Sequence, residues 1–439
     1  MRSARCLSLV FQGALQVLRS VLLALWQLTW RRPAEPTDPL PTISMPIVLI
    51  PGLMAFDGDL KETVAALRAR GLNVHATRLG PVSSNHDRAC ELFYALKGGR
   101  VDFGAEHSAE HGHSRFGPSH ADGLLPDWDA EHPIILITHS QGAGTALVLQ
   151  HLLATGDFFG PQHATTAGWV QAVVSIAAPL NGAANIHDAV WGAPRPAPAK
   201  ADGAAADEQF CGPWTSGVGF LVTIGYVLHV LVGWSARVRS AWDWQLDQWR
   251  LSMCDLPHLA LQTHPILRST DTALYELTPA GAAVRNARLL PHAGCYYVAL
   301  PAQITHGADA LPLPSAPPLY AVLAALHAAG APIGGARQSD GVVPVESQCF
   351  PTGHPHRHVP ELGVARAARA ARAGGGRDGA VTPQRAQLRG RLRRGAWNYA
   401  DAAPVGHGSA ALYVGSELFE HALRVIVPAI IEAVGEDGS

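Results

Sequence analysis

In the stretch "PIILITHSQGAG" (133–144), five apolar or β-branched positions run into His139, Ser140, Gln141 and Gly142, and Leu147, Val148 and Leu149 follow in helical step. A strand that stops at a sharp turn and restarts as a helix can expose a nucleophilic serine. A free hydroxyl is a weak nucleophile, so Ser140 needs a base within hydrogen-bond reach and an acid to orient that base. In the chain order Ser, Asp, His, "ARQSDGVVPVESQ" offers Asp340 in a turn before an apolar run read as a strand. "AAPVGHGSAALYVG" offers His407 between glycines ahead of another such run. Plainer readings stand beside these: Ser140 could cap the helix, Asp340 its Ser-Asp-Gly turn, and His407 is one of 22 histidines. The pentapeptide also departs from the usual elbow in starting with Thr138 where glycine is customary.

A second cluster lies in "GAEHSAEHGHSRF", with His107, His111 and His113. On a helix His107 and His111 share one face at i and i+4, a spacing open to metal. The alternative is a solvated polar loop.

The elements that must carry these groups alternate in type. "MPIVLIPGL" reads as a buried strand, "LKETVAALRARGLNVHATRLG" as a helix of period 3.6 closed at Gly71 with a strand behind it, and "HPIILITHS" and "VQAVVSIAAPL" as two more buried strands. Such βαβ alternation implies a parallel, doubly wound α/β sheet.

The 439 residues, 48% apolar and 15% charged, suffice for a large globular core. A net charge of -2 gives no field that would draw nucleic acid. Six scattered cysteines without CxxC spacing argue against a cysteine-built zinc or redox motif and leave open one or two disulfides, and with them the redox compartment. Residues 1–32 are apolar and Arg-flanked, interrupted by Gln12, Gln16 and Arg19, and read as a signal sequence or anchor, an interfacial helix, or a packed helix. The run 215–235 approaches a membrane span in hydropathy, but four glycines and His229 favour a mobile or buried helix. Residues 364–394 are rich in Ala, Gly and Arg and read as a solvated surface insertion, with a basic lipid-surface patch as the alternative.

Several motifs in one order make the chain similar to the family of the staphylococcal and thermoalkaliphilic bacillus lipases. They are "LGPVSSNHDRACE", "VDFGAEHSAEHGHSRFG", "GLLP", "LDQWRL", "STDTALYEL", "SDGVVPV" and "RRGAWN" followed by His407. The resemblance implies an α/β-hydrolase fold, with a mostly parallel central sheet, helices on both faces, a small zinc-binding insertion and a helical lid. It also implies hydrolysis of lipid carboxylic esters. Matched residue by residue, Ser140 is the nucleophile, Asp340 the acid and His407 the base, and the backbone amides of Leu53 and Gln141 form the oxyanion hole. Pro51-Gly52-Leu53 stands where the family usually has His-Gly-Phe.

By the same resemblance Asp87, His107, His113 and Asp247 hold a structural zinc, with His86 replacing a Trp beside the first ligand. Calcium is a doubtful cofactor, because Ser409 stands where the family has a Glu ligand. The expected organisation is an N-terminal signal or anchor with a Pro-rich linker over 1–44 and a hydrolase domain over 45–435. That domain carries the zinc insertion at 83–117, the lid at 205–245 and a low-complexity surface insertion at 351–394. The expected partners are a lipid ester and a lipid–water interface or membrane surface, and the expected location is secreted or membrane-associated. An acyltransferase on the same three residues and a non-catalytic lipid-binding relative are the alternatives.

Overall fold

The computed structural model describes residues 40–55, 60–183, 226–227, 229–230, 244–260, 263–267, 269–304, 338–364, 385–388, 390–408 and 410–437. The N-terminal apolar segment, nearly all of 215–235, residues 365–384 and Ser409 lie outside the described residues. Among the described residues no helix is long and apolar enough to cross a membrane.

Among the described residues seven strands form one parallel sheet in the order β2-β1-β5-β6-β7-β9-β8: β1 (Ile47–Ile50), β2 (Val74–Ala76), β5 (Ile134–His139), β6 (Val170–Ile176), β7 (Tyr296–Leu300), β8 (His356–His358) and β9 (Trp397–Tyr399). Two further strands, β3 (Gly99–Asp102) and β4 (Phe116–His120), pair as a separate antiparallel ribbon. The central strands are mostly apolar because both faces are covered. Ile47 and Leu49 of β1, with Ile135 and Ile137 of β5, point to one core. Val48, Ile50, Ile134 and Leu136 point to the other.

Helix α1 (Lys61–Ala69) covers the first face with Val64 and Leu67, joined by Phe419, Leu423, Ile426 and Ile430 of the C-terminal helical segment. That segment runs Glu417–His421 and Val427–Asp437 with a π-helical turn, Ala422–Ile426, between them. Helices α2 (Asn85–Lys97) and α4 (Gly142–Ala154) cover the second face with Leu92, Phe93 and Leu96 and with Ala146, Leu149 and Leu153. Between β3 and β4 sits the short helix α3 (Ala105–His111).

Three expectations fail locally. No strand follows Asp340: Pro344 caps a helix, Val345–Cys349, instead, since proline cannot donate to a ladder. Among the described residues none follows His407 either, because Ala410 and Leu412 reach the first core from a turn. Residues 351–394 are not wholly a surface insertion, since β8 pairs with β9 at the sheet edge and Leu388 is fully buried.

Candidate active site

Ser140 directly follows β5 with φ of +53°, a left-handed conformation that costs a non-glycine residue about 1–2 kcal/mol. Its N–H donates to Ile176 O at 3.0 Å, and the Ala143 N–H donates to its carbonyl at 3.2 Å. Two glycines make the turn possible by close approach. A Cβ on Gly142 would lie 2.3 Å from Ile50 O, and one on Gly52 would lie 2.7 Å from Ser140 Cβ. Thr138 fits because it belongs to the strand, paired with Ile50 and Ser175; the sharp turn begins two residues later.

The structure brings the three predicted groups together. His407 Nδ1–H donates to Asp340 Oδ2 at 2.8 Å, and His407 Nε2 lies 3.0 Å from Ser140 Oγ. With the Nδ1 proton turned to the carboxylate, Nε2 carries a lone pair and accepts the serine O–H. Asp340 is fixed in turn, its Oδ1 accepting the N–H groups of Val342 at 2.9 Å and Val343 at 2.7 Å. The buried Gln348 amide holds that loop by donating to Val343 O and Ala302 O. His139, fully enclosed, donates from Nε2 to His407 O at 3.1 Å. Burial, reinforced by the His407 ring, pushes His139 well below the usual imidazole range, so it stays a neutral donor. Of the segments predicted to carry the oxyanion donors, Gly52, which precedes Leu53, packs on Ser140, and Gln141 follows Ser140 in the chain.

Of the four predicted metal ligands, three converge: Asp87, His107 and His113. The fourth member of the group is Asp271, not Asp247. Asp247 opens a 3-10 turn, Asp247–Trp249, with an exposed side chain. Its neighbour Gln248 points inward and donates to Asp87 Oδ2 at 2.9 Å. Asp271 precedes Thr272, whose hydroxyl caps the helix Ala273–Glu276. The Ala273 N–H donates to Val82 O at 3.1 Å, which draws Asp271 onto the insertion.

Chain geometry explains the histidine pair. Gly112, at φ of +74°, ends α3 in the left-handed region, and the N–H groups of Gly112 and His113 both donate to Ser108 O. That reversal returns His113 beside His107, so His113 rather than His111 completes the group. Asp87 Oδ1, His107 Nε2, His113 Nε2 and Asp271 Oδ2 are all buried without a hydrogen-bond partner. Imidazole nitrogens and carboxylate oxygens lie 3.1–3.8 Å apart. Metal–ligand bonds of about 2.0–2.2 Å in a tetrahedron would put neighbouring ligand atoms roughly 3.3–3.6 Å apart, so the group can hold a small metal ion.

The electrostatics agree with a centre shaped for positive charge. Burial alone would lower His107, but the Asp271 and Asp87 carboxylates outweigh it and push it up to about 9. The same balance raises His113. His113 Nδ1–H donates to Ser114 O at 3.0 Å, which turns the Nε2 lone pair inward. His86 is no rival ligand at Nε2, which donates to Phe103 O at 2.8 Å. Its ring stacks on His107 at 3.7 Å between centroids.

The parallel sheet with helices on both faces and Ser140 at a strand–helix turn is the α/β-hydrolase fold. Within that class the chain is similar to the staphylococcal lipases. A family model for the lipase-like C-terminal domain matches residues 49–163. The lipase of Staphylococcus hyicus is 30% identical over 258 residues, which take in 55% of this chain and 35% of that protein. Lipase 2 of Staphylococcus aureus is 33% identical over 139 residues, 29% of this chain and 20% of that one. The matches thus span about a third or less of these relatives' lengths. In three dimensions the S. hyicus lipase crystal structure overlays 93% of this chain and 97% of its own, with a TM-score of 0.57 at 22% identity. EstA from Clostridium botulinum overlays 91% of each chain, with a TM-score of 0.57 at 21% identity.

Proposed function

We propose that this chain is a lipase-type carboxylic ester hydrolase acting through an acyl-enzyme. The observation that carries the reading is the continuous hydrogen-bonded line from Ser140 through His407 to Asp340 at a strained strand–helix turn. As Ser140 Oγ bonds to the ester carbonyl carbon, its proton passes to His407 Nε2, and Asp340 stabilises the imidazolium. The carbonyl oxygen, now negative, is received by the backbone N–H groups of Leu53 and Gln141. Collapse breaks the ester C–O bond, and the alcohol leaves with the proton from Nε2. Water then attacks the acyl-enzyme, giving one proton to His407, and the carboxylic acid departs as Ser140 regains its hydrogen.

The staphylococcal relatives named as lipases support a lipid ester as substrate, and a water-insoluble ester would be met at a lipid–water interface. An apolar cluster beside the site fits that surface, since Tyr226, Val227 and Val230 from the region read as a lid pack together with Leu53 and Met54. The metal is zinc in this reading. Two imidazoles and two carboxylates suit it, and when bound it supplies charge neutralisation with no open position, a structural role. Asp87, His107, His113 and Asp271 would hold it.

Hydrolysis of p-nitrophenyl butyrate and palmitate by wild type and Ser140→Ala tests the enzyme. The variant is expected to lose at least about 1,000-fold, and equal rates from the two proteins would reject it.

A further inference from the structure

Arg88 follows the metal-cluster residue Asp87 on α2 and is fully buried. Its guanidinium donates to three separate segments. Nη2 reaches Pro51 O at 2.5 Å on the oxyanion loop, Nε reaches Thr145 Oγ1 at 3.0 Å on the helix behind Ser140, and Nη1 reaches Gly80 O at 2.9 Å. Burying a cation is expensive, and an apolar side chain could fill such a core position at lower cost. The position of these acceptors gives the charge a purpose.

We propose that Arg88 is a positioning residue for the oxyanion hole, setting the separation and aim of the Leu53 and Gln141 N–H groups. The inference rests on the ester-hydrolase reading above. Pro51 has its φ locked by its ring, and its carbonyl is pinned by Arg88. Three residues on, the Met54 N–H is pinned to Pro81 O at 2.8 Å. The Leu53 N–H therefore sits in a short span held at both ends, with Gly52 as its one loose joint. The second donor is tied to the same segment, since Gln141 Nε2 donates to Ser83 O at 3.0 Å. Thr145, one helical turn beyond Gln141, accepts from Arg88 and donates to Asn85 Oδ1 at 3.1 Å. The 80–88 segment thus grips the loop carrying one donor and the helix start carrying the other, and Arg88 touches both grips.

Oxyanion donors act at 2.7–3.1 Å from where charge develops, so a small displacement weakens transition-state binding more than substrate binding. The test compares Arg88→Met, Arg88→Lys and Thr145→Val with wild type. It measures kcat and KM on p-nitrophenyl butyrate, the pH profile of kcat/KM, and the affinity of an alkyl boronic acid that adds to Ser140 as a tetrahedral mimic. Arg88→Met is expected to lower kcat about 10- to 100-fold with little change in KM. Boronate affinity is expected to fall in parallel, and the pH profile to stay in place because His407 and Asp340 are untouched. Arg88→Lys and Thr145→Val, each sparing part of the grip, should fall between Arg88→Met and wild type. If Arg88→Met does not fold, these two decide. Wild-type kcat and boronate affinity in folded variants would overturn the role of Arg88 while leaving the hydrolase reading intact. Wild type lacking Ser140-dependent hydrolysis would take both down.

Discussion

Asp340→Asn probes the base through its tautomer. Asp340 Oδ1 accepts two backbone N–H groups, from Val342 and Val343. In the variant the amide oxygen must take that place, since an NH2 there would face two donors. The opposite orientation would forfeit both bonds at about 1–1.5 kcal/mol each and add donor–donor repulsion, leaving it at about 1% or less of molecules. The NH2 of the introduced amide therefore faces His407 Nδ1, which becomes the acceptor. The ring proton moves to Nε2, where it blocks transfer from Ser140. A loss of about 10,000-fold in kcat/KM follows, equivalent to about 5.5 kcal/mol of transition-state stabilisation. Because the two backbone bonds survive, thermal stability should change little. Steady-state hydrolysis of p-nitrophenyl butyrate together with a melting curve measures both. A folded Asp340→Asn protein retaining more than a tenth of wild-type kcat/KM would refute this account of how the carboxylate acts.

Three further outcomes are expected. Metal content by mass spectrometry should fall toward zero in Asp271→Ala and stay at the wild-type value in Asp247→Ala; the reverse pattern would return the fourth ligand to residue 247. Gly142→Ala would press a methyl against Ile50 O at 2.3 Å and shift the serine turn by on the order of 1 Å, lowering kcat about 100-fold; an unaffected kcat counts against the close approach. Burial pushes His421 down to about 4 while its Nε2 donates to Leu362 O. The unfolded chain takes up this proton near pH 6.5 and the folded one only near 4, so the stability is complete above 6.5 and about 3 kcal/mol is lost as pH falls to 4. His421→Gln keeps a donor and should flatten the fall of urea midpoints over that window; an unchanged slope would exclude His421 as its source.

The central strands were legible because a parallel strand covered on both faces leaves an unbroken apolar run, as in Ile134–Ile137. Strands β8 and β9 carry three residues each, too few for any period to show, and β8 is exposed throughout. The residues around Ser140 could be read because a tight turn dictates small neighbours. The partner groups were found by chain order and family resemblance, not by local pattern, since a lone Asp or His carries none. Residue 247 was chosen in the right neighbourhood but one position away from the side chain that points inward. The overlooked signal was Asp271-Thr272, an acid directly before a helix-capping threonine, which fixes the direction in which that acid points.

Asp271 also has a mechanical meaning. Among the described residues the chain leaves the sheet after Ile176 and next pairs in it at Tyr296. Near the end of that excursion it is stitched to the insertion by the Ser83–Thr272 bridge and by the Asn85 N–H donating to Glu276. Both stitches land on the segment that also holds Gln141 and Thr145, so the return of this excursion is tied mechanically to the helix start behind Ser140.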